Sequence, residues 1–378
     1  MGKVEFYRHA LMSEDVEALV EVLNSVFLTT GPRTAEFEQA FARWLGVDHA
    51  VGLSSCTAAL FLSLQALDVG PGDEVITTPM TFMATSNAIL HCGATPVFVD
   101  VEPETGNIDV RRIERAITPK TRAIIPVHLY GTMVDMRCLM ELANRHQVPV
   151  IEDAAHAVEP VRDGVRPGQL GRTACFSFYA TKNLTCGEGG AIVTNDAELA
   201  ERVRRLRSHG MSKGAADRYT GRYQHWDMLE LGYKANLTDL QSVLLLRQLP
   251  RLEHQLARRE SVAQRYEAAF RDIEGIDYPR VPAGARGARH LFTMWVPPDR
   301  RDETLAALQD RGVGVAVNYR AVHLLSYYRS RFGYERGAFP NAELIGDRTV
   351  TLPLYPGLSD EAVQTVIDTV RTVAATWS

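Results

Sequence analysis

No stretch of the 378-residue sequence reaches membrane-spanning length without charge. The first residues, MGKVEFYRHALMSEDVE, offer no apolar core of signal-peptide type, so a cytoplasmic enzyme with no membrane partner is expected. Basic charge is not in excess. A net charge of -5 and a pI near 6.1 leave no global field to attract nucleic acid or anionic lipid, and an anionic ligand must be held by a local site. Cysteine is sparse. Its five copies (Cys56, Cys92, Cys138, Cys175, Cys186) are odd in number and widely spaced with no C-x-x-C pair, which speaks against a disulfide framework or a metal site. Glycine and proline are scattered, and no repeat or low-complexity tract suggests disorder. What remains is an ordinary globular composition, 46% hydrophobic and 23% charged, in a chain long enough for a large and a smaller domain.

Helix-like stretches alternate with short β-branched runs over the first two thirds, which predicts an α/β fold with a mostly parallel sheet. Seven runs read as its strands: HAVGL (49 to 53), EVITT (74 to 78), PVFVD (96 to 100), AIIPVH (123 to 128), PVIED (149 to 153), ACFSFY (174 to 179) and AIVTN (191 to 195). Helices are expected at Thr57 to Leu67 and at Asp135 to His146. From Asp239 to Ala269 a long amphipathic pattern is broken only at Pro250, as kinked helices joining two domains would be. The expected division is a large domain over 1–245, with an N-terminal arm over 1–30, and a small C-terminal domain over 246–378. Strands are expected in the latter at HLFTMWVP (290 to 297) and VGVAVNY (313 to 319), with a closing helix from Ser359.

The chemistry concentrates in two runs. IEDAAHA (151 to 157) ends an apolar strand in Glu152 and Asp153, and ligands gather at the carboxyl ends of strands in open α/β sheets. Asp153 could equally cap a helix. In FSFYATKNLTCGEGGAIVTN (176 to 195), Lys182 sits between two apolar strands, and Gly187, Gly189 and Gly190 allow a tight turn beside something bulky. Burial lowers a lysine's pKa and makes its amine a nucleophile toward a carbonyl. The aldehyde of pyridoxal phosphate is the obvious partner, and it needs a lysine, an acid for its ring nitrogen and donors for its phosphate. Phosphate donors are expected at Ser54 to Ala58, where a strand runs into a helix, with Ser177 adding a hydroxyl. Phe82 follows a strand and could stack on the ring or pack in the core.

From end to end the chain resembles the DegT/DnrJ/EryC1/StrS sugar aminotransferases. The likeness is carried by LTTGPRTAEFEQAFA (28 to 42), TPMTFMATSNAI (78 to 89), FVDVEPETGNID, IPVHLYG (125 to 131), IEDAAHA, SFYATKN, RSHGM (207 to 211), GYKANLTDLQ (232 to 241) and HLF (290 to 292). The resemblance implies the aspartate-aminotransferase fold, or fold type I: a mostly parallel seven-stranded sheet flanked by helices, plus a smaller C-terminal α+β domain. It implies that Lys182 forms the internal aldimine with pyridoxal 5'-phosphate, that pyridoxamine 5'-phosphate is the intermediate form, and that Asp153 pairs with the pyridinium nitrogen. Cys56, Thr57, Ala58 and Ser177 would surround the phosphate, Phe82 would stack on the ring, and His156 would lie beside the cofactor. Asn236 would reach the phosphate of a neighbouring subunit, which implies a homodimer with shared sites; it also suits a helix N-cap. His156 stands where many members have Gln, and Cys56 where many have Gly.

ATKNLTCGEGG, GYKANLTDL and VNYRAVHLLSYYRSRFGY look closest to the branch that aminates UDP-4-keto-pentose for lipid A modification, the UDP-4-amino-4-deoxy-L-arabinose–oxoglutarate aminotransferases. The expected reaction therefore moves an amino group from glutamate to C4 of a nucleotide-diphospho keto sugar, releasing 2-oxoglutarate, within polysaccharide or lipopolysaccharide synthesis. Related 4-keto-6-deoxy-hexose or 3-amino enzymes are alternatives. Thr30, Tyr319, Arg320 and His323 would face the substrate by the same likeness. Two further alternatives are a dehydratase of the family, whose branch carries histidine at the lysine position, and a non-catalytic sensor that retains the fold.

Overall fold

The computed structural model describes residues 3–213 and 225–377; residues 1–2 of the expected arm, 214–224 of the expected large domain and residue 378 lie outside it. The apolar runs become strands β1 His49–Leu53, β2 Glu74–Thr77, β3 Thr95–Phe98, β4 Thr121–Ile124 and β5 Ile151–Asp153. A two-residue strand, β6 Val161–Arg162, precedes β7 Thr173–Ser177 and β8 Gly190–Thr194. The order β1-β8-β7-β5 continues through parallel bridges Ile124–Val150 and Val127–Asp153 to β4-β2-β3, giving one sheet of seven strands. Only β8 runs against the others. Every residue of β5, β7 and β8 is buried, as a sheet covered by helices on both faces requires.

The carboxyl ends of β1, β2, β4, β5 and β7 open on the same side. The chain after β1 enters helix Cys56–Ala66, and the chain after β2 passes Phe82 before helix Ala84–His91. The expected helix near Asp135 spans Met136–Arg145, with the Asp135 side chain accepting from the Cys138 N–H.

Helix Asp239–Gln248 meets helix Leu252–Phe270 at a single turn holding Pro250. Leu252 packs into the core of the large sheet, whereas Val262, Tyr266 and Phe270 belong to a second core. The helix after the kink thus serves both units. The short β9 Ala285–Arg286 pairs with β6, and the second unit is built on β10 Phe292–Trp295 against antiparallel β11 Thr349–Leu352, closed by helix Asp360–Ala374. Val4, from the expected arm, packs into this second core as well.

VGVAVNY does not form the expected strand. It touches its neighbours only at single bridges, Val4–Val313 and Ala316–Thr351, because its far end leaves the sheet for the loop after β4, where the Tyr130 hydroxyl donates to the Asn318 carbonyl at 2.5 Å.

Candidate active site

β1 delivers Ser55 in an extended conformation, and its hydroxyl caps helix Cys56–Ala66 by accepting from the Ala58 N–H at 3.1 Å. The first turn leaves Thr57 exposed, so a hydroxyl and free backbone N–H groups sit at the positive end of a helix dipole. β8 is pressed against this turn: a Cβ on Gly190 would lie 2.4 Å from the Ser55 carbonyl carbon. The bulky neighbour that this glycine accommodates is therefore backbone, and only Gly187 of the trio has a left-handed φ, +85°. Cys56 is buried, and burial, then the Asp153 charge, raises its thiol well above the usual range, so it stays a neutral thiol.

Asp153, at the end of β5, caps no helix. Its Oδ2 accepts from the Thr85 hydroxyl at 2.7 Å and its Oδ1 from the Ala155 N–H at 3.1 Å. Burial pushes the carboxyl above the ordinary range, against the lowering effect of these two donors and of the Lys182 charge. A buried carboxylate in this state favours a cationic partner. Lys182, in the turn between β7 and β8, lines the same cavity, and burial lowers its amine from 10.5 to about 8.

That cavity, of about 540 Å³, is also bordered by Ser55, Thr57, Phe82, His156, Ser177 and Tyr319. Phe82 is half-exposed, which excludes core packing, and its ring stands 5.9 Å from that of Tyr319. His156 Nδ1 accepts the Tyr130 N–H at 3.2 Å, so its Nε2 carries the proton toward the Tyr319 oxygen at 3.0 Å. Burial and then the Lys182 charge hold this imidazole neutral, its pKa well below the usual value. The Tyr319 hydroxyl hydrogen is left to donate elsewhere.

Ala58 does not border this cavity, its N–H being taken by the Ser55 hydroxyl, and four further expected site residues lie apart from it. Arg320 is exposed in a different cavity of about 390 Å³, beside Arg301, Arg329 and Arg336. His323 is fully buried, with Nε2 at 3.0 Å from Glu343 Oε1 and its ring against Phe339, so it cannot face a substrate in this conformation. Asn236 and Thr30 meet each other, Asn236 Nδ2 donating to Thr30 Oγ1 at 2.7 Å, in a basic cavity with Arg204, Arg207 and Lys234. Asn236 is not a helix cap: Thr238 caps helix Asp239–Gln248.

Three neighbours escaped the sequence reading. Thr85 and Tyr130 lie inside runs already singled out, TPMTFMATSNAI and IPVHLYG, yet nothing local marks their partners. His290 opens the HLF run, and its Nε2 stands 3.4 Å from Lys182 Nζ.

The residues present fit pyridoxal phosphate. The buried carboxylate lacking a full countercharge suits a protonated ring nitrogen, the capped helix start suits a phosphate, and the amine near neutrality suits an aldehyde. Among the described residues no group of His, Cys, Asp and Glu is arranged to hold a metal ion, and no helix is long and apolar enough to cross a membrane.

A model of the DegT/DnrJ/EryC1/StrS aminotransferase family matches residues 9–371. The chain is 45% identical over 366 residues, 95% of its own length and 94% of the relative's, to the spore coat polysaccharide biosynthesis protein SpsC of Bacillus subtilis. Among solved structures it is similar to DesV of S. venezuelae in complex with a ketimine intermediate, at 37% identity and a TM-score of 0.91, covering 99% of both chains. It is also similar to Spr1654 of Streptococcus pneumoniae in its PMP form, at 31% identity and a TM-score of 0.94, again covering 99% of both.

Proposed function

Because the chain belongs to the DegT/DnrJ/EryC1/StrS aminotransferase family, we propose that this pyridoxal-phosphate-dependent sugar aminotransferase carries an amino group from glutamate to C4 of a nucleotide-linked keto sugar, a UDP-4-keto-pentose or a 4-keto-6-deoxy-hexose. The observation that carries the reading is the pairing of a near-neutral amine, Lys182, with a buried acid, Asp153, across one cavity. The cofactor supplies an electrophilic aldehyde and a ring that takes up an electron pair.

The side chains divide the remaining work. The Lys182 amine holds the cofactor and, once released, carries at Nζ the proton taken from the amino acid's α-carbon. Asp153 keeps the ring nitrogen protonated, the Thr85 hydroxyl keeps the Asp153 carboxylate in place, and Phe82 covers one ring face. Thr57, Ala58 and Ser177 receive the phosphate at the start of helix Cys56–Ala66, the Ala58 N–H exchanging its bond to the Ser55 hydroxyl for one to a phosphate oxygen. His156 and Tyr319 form the wall from which the Tyr319 hydroxyl can donate to a bound oxygen. A dehydratase of the family would need histidine where Lys182 stands.

The reading includes a homodimer in which Asn236, and Thr30 beside it, serve the partner's cavity. It is supported by their lining a different cavity from that of Lys182 in their own chain, by the arginines around them, and by an apolar surface that a second copy could cover. Val16, Val20 and Leu23 on helix Ser13–Leu23 and Val26 after it are exposed, as are Met228, Leu229 and Leu231, the last at 75%.

The choice of C4 and of a nucleotide-linked substrate rests on the likeness of ATKNLTCGEGG and VNYRAVHLLSYYRSRFGY to the pentose branch. The test is to convert the protein to its pyridoxamine form with glutamate and offer a panel of nucleotide-linked keto sugars. Return of the cofactor's visible absorbance with a 4-keto substrate, and nitrogen at C4 in the product by NMR, is expected. Reaction only with 3-keto sugars would overturn the assignment.

A further inference from the structure

A line of buried and half-buried polar groups runs from the second unit to the Lys182 amine. Arg259 Nη2 donates to Glu159 Oε1 at 2.5 Å, both side chains being fully buried. The other carboxylate oxygen, Glu159 Oε2, accepts from Asn183 Nδ2 at 3.0 Å, and the same amide nitrogen donates to the Ala288 carbonyl at 3.0 Å. Two acceptors on one side fix the orientation of the amide, so that Asn183 Oδ1 faces His290 Nδ1 at 3.2 Å. An amide oxygen only accepts, so Nδ1 carries the imidazole hydrogen. The lone pair of the neutral ring is then at Nε2, 3.4 Å from Lys182 Nζ.

We propose that His290 is a positioning residue for Lys182: its Nε2 accepts one N–H of the lysine amine, and the Arg259–Glu159–Asn183 chain sets the tautomer that makes this possible. This deepens the role given to Lys182 above and rests on it. With one hydrogen held, rotation about the Cε–Nζ bond is restricted and the amine's lone pair is directed to the other side, into the cavity. Burial first, then the charges of Lys182 and Arg259, hold the His290 pKa well below the usual value, so the ring stays an acceptor. Arg259 Nε and Nη1 have no hydrogen-bond partner among the described residues. An ion pair left in that condition is poorly arranged for stability, and orientation gives it a use.

The experiment measures the rate at which the full chain, freed of cofactor, takes up pyridoxal phosphate, followed by visible absorbance across pH. The titratable groups facing the amine are Cys56, Asp153, His156 and His290. His290→Leu removes the acceptor, and the plateau rate is expected to fall about tenfold or more. The pH midpoint should also move down, because the ammonium form loses the partner that favours it. His290→Gln, which returns an acceptor oxygen, should recover most of both. Asn183→Ala, which frees the tautomer without touching the amine, should change them in the same direction and by less. Binding of pyridoxamine phosphate, which needs no attack by the lysine, should stay within about twofold in all three, with melting temperature as the check on folding. Capture by folded His290→Leu at the parental rate and midpoint overturns the positioning role alone. A parent that forms no covalent adduct overturns the role of Lys182 and this proposal with it.

Discussion

The Thr85 hydroxyl, in the first turn of helix Ala84–His91 after β2, donates at 2.7 Å to Asp153 Oδ2 at the end of β5. It anchors an acid that burial would otherwise leave protonated more readily, since this hydrogen bond acts to lower the Asp153 pKa. Thr85→Val should therefore raise that pKa further and weaken the hold on a protonated ring nitrogen. Loss of a hydrogen bond to a charged group is worth roughly 1.5 kcal/mol, so pyridoxamine phosphate should bind about tenfold more weakly by absorbance titration. Thr85→Ser should restore it, and equal affinity in the Val variant would show that Asp153 does not need this anchor.

Lys182 supplies a pH dependence with a definite sign. Its amine is lowered from 10.5 to about 8 by burial, and only the neutral form attacks an aldehyde. Uptake of pyridoxal phosphate by the cofactor-free protein should therefore accelerate as pH rises toward 8 and level off above it. An ordinary surface lysine would keep accelerating beyond pH 10. Lys182→Ala should bind pyridoxamine phosphate and show no turnover with glutamate.

Asp239 joins two of the family runs. Its carboxylate accepts from the Gly31 and Thr34 N–H groups at 2.9 and 2.8 Å and from the Thr34 hydroxyl at 2.7 Å, tying the start of helix Pro32–Leu45 to that of helix Asp239–Gln248. Asp239→Asn removes the charge at a helix N-terminus and turns Oδ2, which accepts from the Arg33 N–H at 3.1 Å, into a donor facing that donor. A destabilisation of about 2 kcal/mol or more is expected, read as a lower melting temperature.

Shared sites can be tested by mixing. If Asn236 serves the partner's cavity, Lys182→Ala and Asn236→Ala subunits should each be impaired, yet refolding them together should recover about one quarter of parental activity, since half of random dimers carry one intact site. No recovery would place Asn236 in the service of its own chain.

Much of the site was legible because its residues lie within short runs. The seven strands of the large sheet are apolar and β-branched, and Asp153 and Lys182 stand at their ends. The partners were not legible, because Thr85 and Asp153 are 68 positions apart and Lys182 and His290 are 108 apart, with no local pattern encoding either pair. β11 escaped because it reads TVTL; its threonines are buried, with the Thr349 hydroxyl donating to the Ile345 carbonyl at 2.7 Å. His323 and Arg320 show how little a shared run says about surroundings. Both lie close to Tyr319 in one run, but three neighbouring positions of an irregular segment were sent to three different surroundings.

The most direct test is to treat the cofactor-loaded protein with borohydride and map the modified residue by peptide mass spectrometry. The account predicts a phosphopyridoxyl group on Lys182 alone, at close to one per chain. The label on any other lysine, or none on a protein that still transaminates, would contradict it.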